Sequence, residues 1–154
     1  TELDGVLLIE PPTIFEDFRG TYVELYNEPL FNKADINLKF IQDDISSSQR
    51  NVLRGIHGDG KTWKLISCLF GSFYLVVVNN DKKSPQYRKW QSFTLPPNFG
   101  NGHFVTSDLA IFYYKQTTEY DRPSQFTIKW NDPDFKIWWP SDNPILSQRD
   151  ATEA

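Results

Sequence analysis

The sequence predicts an all-β fold, an antiparallel sandwich or barrel with short peripheral helices. Three observations predict it. Short runs of β-branched and aromatic residues recur along the chain, separated by turn-forming clusters. Aromatics are abundant, 24 of 154 residues, and a β-rich core accounts for most of that excess. One segment only has helical character.

In chain order, GTYVELY (20–26) and LKFIQDD (38–44) read as strands bounded by turn formers. Between them EPLFNKADIN (28–37) reads as a helix, with Pro29 suited to its first turn. WKLISCLF and SFYLVVVN flank Gly71, as at a hairpin or a tight bend between strands. RKWQSFTL (88–95), LAIFYYKQ (109–116) and QFTIKW (125–130) continue the series. WQSFTL then runs straight into PPNFGNGHF with no residues for a reversing turn, and its two prolines stop ladder hydrogen bonding. The tail NPILSQRDATEA ends polar, with Ile145 and Leu146 available to dock.

Length and composition bound the function classes. Residues 1–154 are one domain's worth, enough to bury a core. A net charge of −4 gives no basic footprint for nucleic acid. A lone cysteine, Cys68, precludes an intrachain disulfide and fits a reducing compartment. No run of 18 apolar residues marks a membrane span, and TELDGV does not read as a signal peptide. A cytoplasmic protein without membrane or nucleic-acid partners is expected.

The chemistry-bearing stretch is GIHGDGKTWK (55–64), which sets one of only two histidines among glycines and lysines. Glycine this dense suggests close approach of the backbone to another body. It is not a phosphate loop, because the upstream glycine is missing and a strand rather than a helix follows. On that strand Lys64 shares a face with Ile66 and Cys68. If that face is interior, the lysine needs an anionic partner or a functional anion, and a surface lysine at a strand end is the alternative. The same alternation turns one of Tyr113 and Tyr114 inward, where a phenol whose high pKa is lowered by neighbouring cations can act as a proton donor, the alternative being that both are plain aromatic strand residues. His57 and His103 are too few for a histidine-rich metal site, and Cys68 cannot complete a soft one. Cys68 sits mid-strand, where buried cysteines usually serve as small apolar residues.

Together these stretches resemble the nucleotide-sugar 3,5-epimerases. FEDFRGTYVELYNEPLF, FIQDDISSSQRNVLRGIH, KLISCLFG, YYKQTTEY, WNDP and WPSDNPILSQRD follow one another in that family's order, from about residue 8 to residue 150. The resemblance implies a cupin jelly roll, homodimeric, with neither metal nor cofactor, acting on a nucleotide-linked 4-keto-6-deoxy sugar. It further implies His57 as the base, Asp150 as its carboxylate partner, Lys64 on the developing enolate oxygen and Tyr114 as the acid on the far face. Arg19, Arg54 and Arg149 stand at the family's anion-binding positions, and Gln42 and Tyr120 at sugar- and nucleotide-contacting ones. The glycines beside His57 would then let the backbone pass next to the bound sugar.

Departures from that pattern are specific. Leu75 stands in place of an aspartate, and Gly102 in place of the histidine of FAHGF, with His103 one position displaced and so expected on the opposite face. Asp44 replaces an asparagine and Asn79 an aspartate. RGIHGDGKTWKL and PPNFGNGHF resemble the branch acting on GDP-linked 6-deoxy-4-keto-heptoses, where epimerisation is at C3 or at C3 and C5. At Leu95–Pro96 family members carry roughly nine more residues, which would form a turn and a strand. Two other functions fit the same fold: a 3,4-ketoisomerase, although GIHGD lacks the His-rich GxHAH stretch, and a non-catalytic nucleotide-sugar-binding cupin.

Overall fold

The computed structural model describes residues 1–11, 14–91 and 99–152. The Leu95–Pro96 join therefore lies outside the described residues. Among the described residues ten strands form three antiparallel groups. A separate hairpin pairs β1 (Ile14–Asp17) with β2 (Gly20–Val23). A three-stranded sheet runs β3 (Gln42–Gln49), β9 (Leu109–Gln116), β5 (Lys64–Phe70). A five-stranded sheet runs β10 (Phe126–Thr127), β4 (Leu53–Gly58), β8 (Phe99–Val105), β6 (Phe73–Asn79), β7 (Trp90–Gln91). The two larger sheets face one another, with His103 of β8 stacked on Phe112 of β9 at a ring separation of 4.2 Å. The architecture is the cupin jelly roll that the resemblance implies.

Local chemistry accounts for most of these elements. Helix α1 (Glu28–Lys33) begins where Asn27 caps the Leu30 N–H, carries Pro29 in its first turn, and buries Phe31. Gly71, at φ +75, turns the chain between β5 and β6, which join different sheets rather than pairing as a hairpin. The expected strand at 38–44 is displaced, since β3 begins only at Gln42 and runs to Gln49. Of 125–130 only Phe126–Thr127 is strand, because the chain then leaves the sheet to cover it. Residues 53–58, not among the strands read from the sequence, form β4.

The main core lies on the outer face of the five-stranded sheet. Leu53 and Ile56 of β4, Val76 and Val78 of β6 and Phe104 of β8 are covered there by Ile128, Phe135 and Trp139. Trp139 is 6% exposed and its Nε1–H donates to the Trp130 carbonyl at 2.7 Å. Truncation to Ala removes a large buried ring and a satisfied donor together. Trp139→Ala should lower unfolding free energy by about 3–5 kcal/mol, read from urea denaturation. The tail docks on the same sheet: the Leu53 N–H donates to the Ile145 carbonyl at 2.9 Å and Leu146 packs against the core. Docking delivers the last helix, α2 (Gln148–Thr152), to the edge of the hollow between the sheets.

Candidate active site

The hollow is a cavity of about 350 Å³ with walls from both sheets. From β4 it receives Arg54 and His57. Residues three apart on a regular strand point to opposite faces. Here the ladder to β8 shifts register between Arg54 and His57, a bulge that turns both inward while Ile56 stays in the core. Gly55, at φ +119, makes the bulge possible; a Cβ there would lie 2.5 Å from the Asn101 carbonyl oxygen and 2.5 Å from the Gly102 Cα. What the backbone approaches at this glycine is thus strand β8, not the cavity, which corrects the sequence expectation.

His57 and Asp150 form the tightest polar contact of the cavity, Nε2 to Oδ1 at 2.6 Å. Asp150 is 3% exposed and also accepts from Ser147 Oγ at 2.9 Å and from the Gly55 N–H at 3.4 Å. Burial alone would raise this carboxyl; the bonds and charge of His57, with the Ser147 and Gly55 donors, together hold it below the usual carboxylate range. As an ionised carboxylate only accepts, Nε2 of His57 is the donor, and Nδ1 is left for an incoming proton.

Lys64 opens β5 and points into the same cavity. Its Nζ donates to Asn101 Oδ1 at 3.4 Å and lies 5.7 Å from the Tyr114 ring centre. Burial lowers its pKa, opposed by the charge of Asp59. Tyr114, and not Tyr113, faces inward, opposite Asp44 in the β3–β9 ladder. Burial, then the Asp44 carboxylate, pushes its phenol up to about 12, against the lowering by nearby cations expected from the sequence, so it stays protonated across the physiological range.

Arg149 and Tyr120 close one side. Arg149 donates to Thr127 Oγ1 at 3.0 Å and Gln125 Oε1 at 3.2 Å, and stands 3.5 Å from the Tyr120 hydroxyl. Arg54 is held from β3 by Ser48 Oγ at 2.9 Å. Two expected residues do not line the cavity. Gln42 lies behind Asp44, donating to its Oδ2 at 2.9 Å and accepting the Tyr120 N–H at 2.8 Å, so it braces the wall. Arg19 sits on the exposed β1–β2 turn, paired with Asp17 at 2.6 Å. Its hairpin forms a separate sheet, and none of its residues lines the hollow of its own chain.

Strand β8 corrects the sequence register. Asn101 and His103 both line the cavity, while a Cβ on Gly102 would meet Ile56 and Trp139 of the core. Asn101, opposite His57 in the ladder, is therefore the inward position, and His103 shares its face. The alternating polar residues of FGNGHF carried that signal. Asp44, Gln125 and Ser147 also belong to the wall. Their roles depend on ladder partners that no short motif displays.

His103 gives a pH prediction. Burial, then the Arg54 charge, depresses its pKa from 6.5 to about 3. The unfolded chain therefore takes up the proton first as pH falls, and stability is lost from about pH 6.5 toward about 3. Urea midpoints should drop between about pH 7 and about pH 5, before carboxylates titrate, and His103→Phe should flatten that drop.

A jelly roll with a His–Asp pair and three cations in the hollow between its sheets is a cupin built for an anionic ligand. The chain belongs to the dTDP-4-dehydrorhamnose 3,5-epimerase family, whose sequence profile matches residues 1–154. The dTDP-4-dehydrorhamnose 3,5-epimerase of Shigella flexneri is 35% identical over 164 residues, covering 97% of this chain and 90% of that one. A Streptomyces niveus dTDP-4-dehydrorhamnose 3-epimerase is 31% identical, covering 96% and 78%. Among solved structures, the Legionella pneumophila dTDP-6-deoxy-D-glucose-3,5-epimerase in complex with dTDP-4-keto-L-rhamnose superposes with a TM-score of 0.92. It is 34% identical, with 98% of this chain and 87% of that chain covered.

Proposed function

We propose that the protein is an epimerase that inverts C3, C5 or both of a nucleotide-linked 4-keto-6-deoxy sugar. One observation carries the reading: the His57–Asp150 pair, the Lys64 ammonium and the Tyr114 phenol all border one cavity. A proton α to the ketone is acidic because its electron pair delocalises onto the C4 oxygen. His57 Nδ1 takes that proton, and the buried Asp150 carboxylate stabilises the imidazolium. Lys64 donates to the enolate oxygen, and its lowered pKa makes the ammonium a readier donor. Tyr114 returns a proton to the opposite face of the same carbon, inverting it. Solvent then resets both groups, so no electrons are gained or lost overall. Arg54 and Arg149 bind the diphosphate, a task suited to their planar forks, and Tyr120 borders the nucleotide.

The test is incubation in deuterated water with dTDP- and GDP-linked 4-keto-6-deoxy sugars, the deuterium located by mass and NMR. Label at C3, or at C3 and C5, with inversion supports the reading and fixes the positions. A displaced carbonyl would identify a 3,4-ketoisomerase, and binding without exchange a non-catalytic cupin.

The proposal includes a homodimer working in the cytoplasm. The β1–β2 hairpin exposes Ile14, Phe15, Phe18, Tyr22 and Val23, an apolar surface that a second copy would cover. Any role for Arg19 in the site requires such a copy to carry it there. Among the described residues no helix is long and apolar enough to cross a membrane.

A further inference from the structure

A buried polar side chain of the cavity wall has no hydrogen-bond partner and no part in the chemistry above. His103 is 3% exposed, its ring lying flat on Phe112 at an interplanar angle of 10° with Phe73 at 5.2 Å. Its ladder neighbours are Arg54 on β4 and Leu75 on β6, and neither gives it a hydrogen bond. Nε2 is buried with no partner. A buried polar atom left in this state costs about 1–3 kcal/mol, and a phenylalanine would fill the same stack without that cost. A half-turn of the ring about χ2 preserves the stack and exchanges the edge presented to the cavity.

The ring's surroundings define what it can bind. Burial and the adjacent guanidinium keep it neutral, with one donor and one acceptor. A hydroxyl can pair with whichever nitrogen faces the cavity, accepting from the N–H or donating to the bare nitrogen, whereas a phosphate offers acceptors only and has Arg54, Lys64 and Arg149 in the same cavity. Position agrees: His103 lies two residues along β8 from Asn101, which faces His57. That spacing is about 7 Å, the breadth of one sugar with its substituents.

We propose that His103 is a specificity-determining residue that hydrogen-bonds a hydroxyl of the sugar held over His57. The ligand's identity rests on the epimerase reading; the contact does not depend on turnover.

Calorimetric titration of wild type and His103→Phe with dTDP, GDP and their 4-keto-6-deoxy-sugar derivatives tests it. The variant should bind the nucleotide sugar about tenfold more weakly, bind the free nucleotide unchanged, and melt at a higher temperature. His103→Gln, which keeps a donor and an acceptor, should retain most of the affinity and covers the case of a misfolded His103→Phe. Equal weakening for sugar nucleotide and nucleotide would overturn the proposal by moving the contact off the sugar. Unchanged affinities with raised stability would overturn it by reducing the ring to packing, as would a wild type to which the sugar adds no affinity. Wild type that binds the sugar nucleotide without deuterium exchange defeats the epimerase reading alone, and the comparison of affinities still decides the role of His103.

Discussion

His57→Asn should abolish deuterium exchange into the sugar, by about a thousandfold or more, while binding of the free nucleotide persists. The amide keeps a donor toward Asp150 but offers no basic nitrogen at the carbon, so the loss falls on kcat rather than on affinity. Asp150 is positioned independently of the imidazole, by Ser147 Oγ at 2.9 Å and the Gly55 N–H at 3.4 Å. The cavity should therefore survive the substitution, and thermal stabilisation by dTDP or GDP provides the control. Exchange retained near the wild-type rate would place the base on another residue.

Gly55→Ala should be severely damaging to stability. The residue has φ +119, and the added Cβ would lie 2.5 Å from two backbone atoms of β8, which cannot swing aside as a side chain can. Strain and overpacking together predict a loss of about 4 kcal/mol in urea unfolding. Because the bulge aims Arg54 and His57 into one hollow, the folded remainder should also exchange more slowly per molecule. A variant with wild-type stability would mean that β4 and β8 separate readily.

Much of the fold was legible where local chemistry decides it. Pro29 stands in the first turn of α1, and the alternation in LAIFYYKQ sends one of its two tyrosines inward, Tyr114. Likewise His57, Lys64, Tyr114 and Asp150, up to 93 positions apart in the chain, meet in one cavity as the family resemblance implied. The illegible parts depend on pairing. Strand β4 hides its bulge in a glycine-rich string, so simple alternation puts Arg54 and His57 on opposite faces. The inward set of β8 follows from its ladder with β4, and one misplaced position turned Asn101 and His103 away from the site. The resemblance makes Gln42 a ligand contact, whereas its amide is engaged by Asp44 and the Tyr120 N–H. Parity is kept at Cys68, which is laddered opposite the inward Phe112 and shares the Lys64 face, but the cysteine is exposed and outside the cavity wall rather than the small buried residue that its mid-strand position suggests.

Packing of Leu53, Ile56, Val76, Val78 and Phe104 behind the five-stranded sheet has an evolutionary consequence. The main core and the proposed chemistry lie on opposite sides of the same strands, so cavity residues such as Asn101 and His103 can be exchanged with little disturbance to the outer packing. A scaffold divided in this way can drift among related sugars by point replacement, retaining its shape while its selectivity changes.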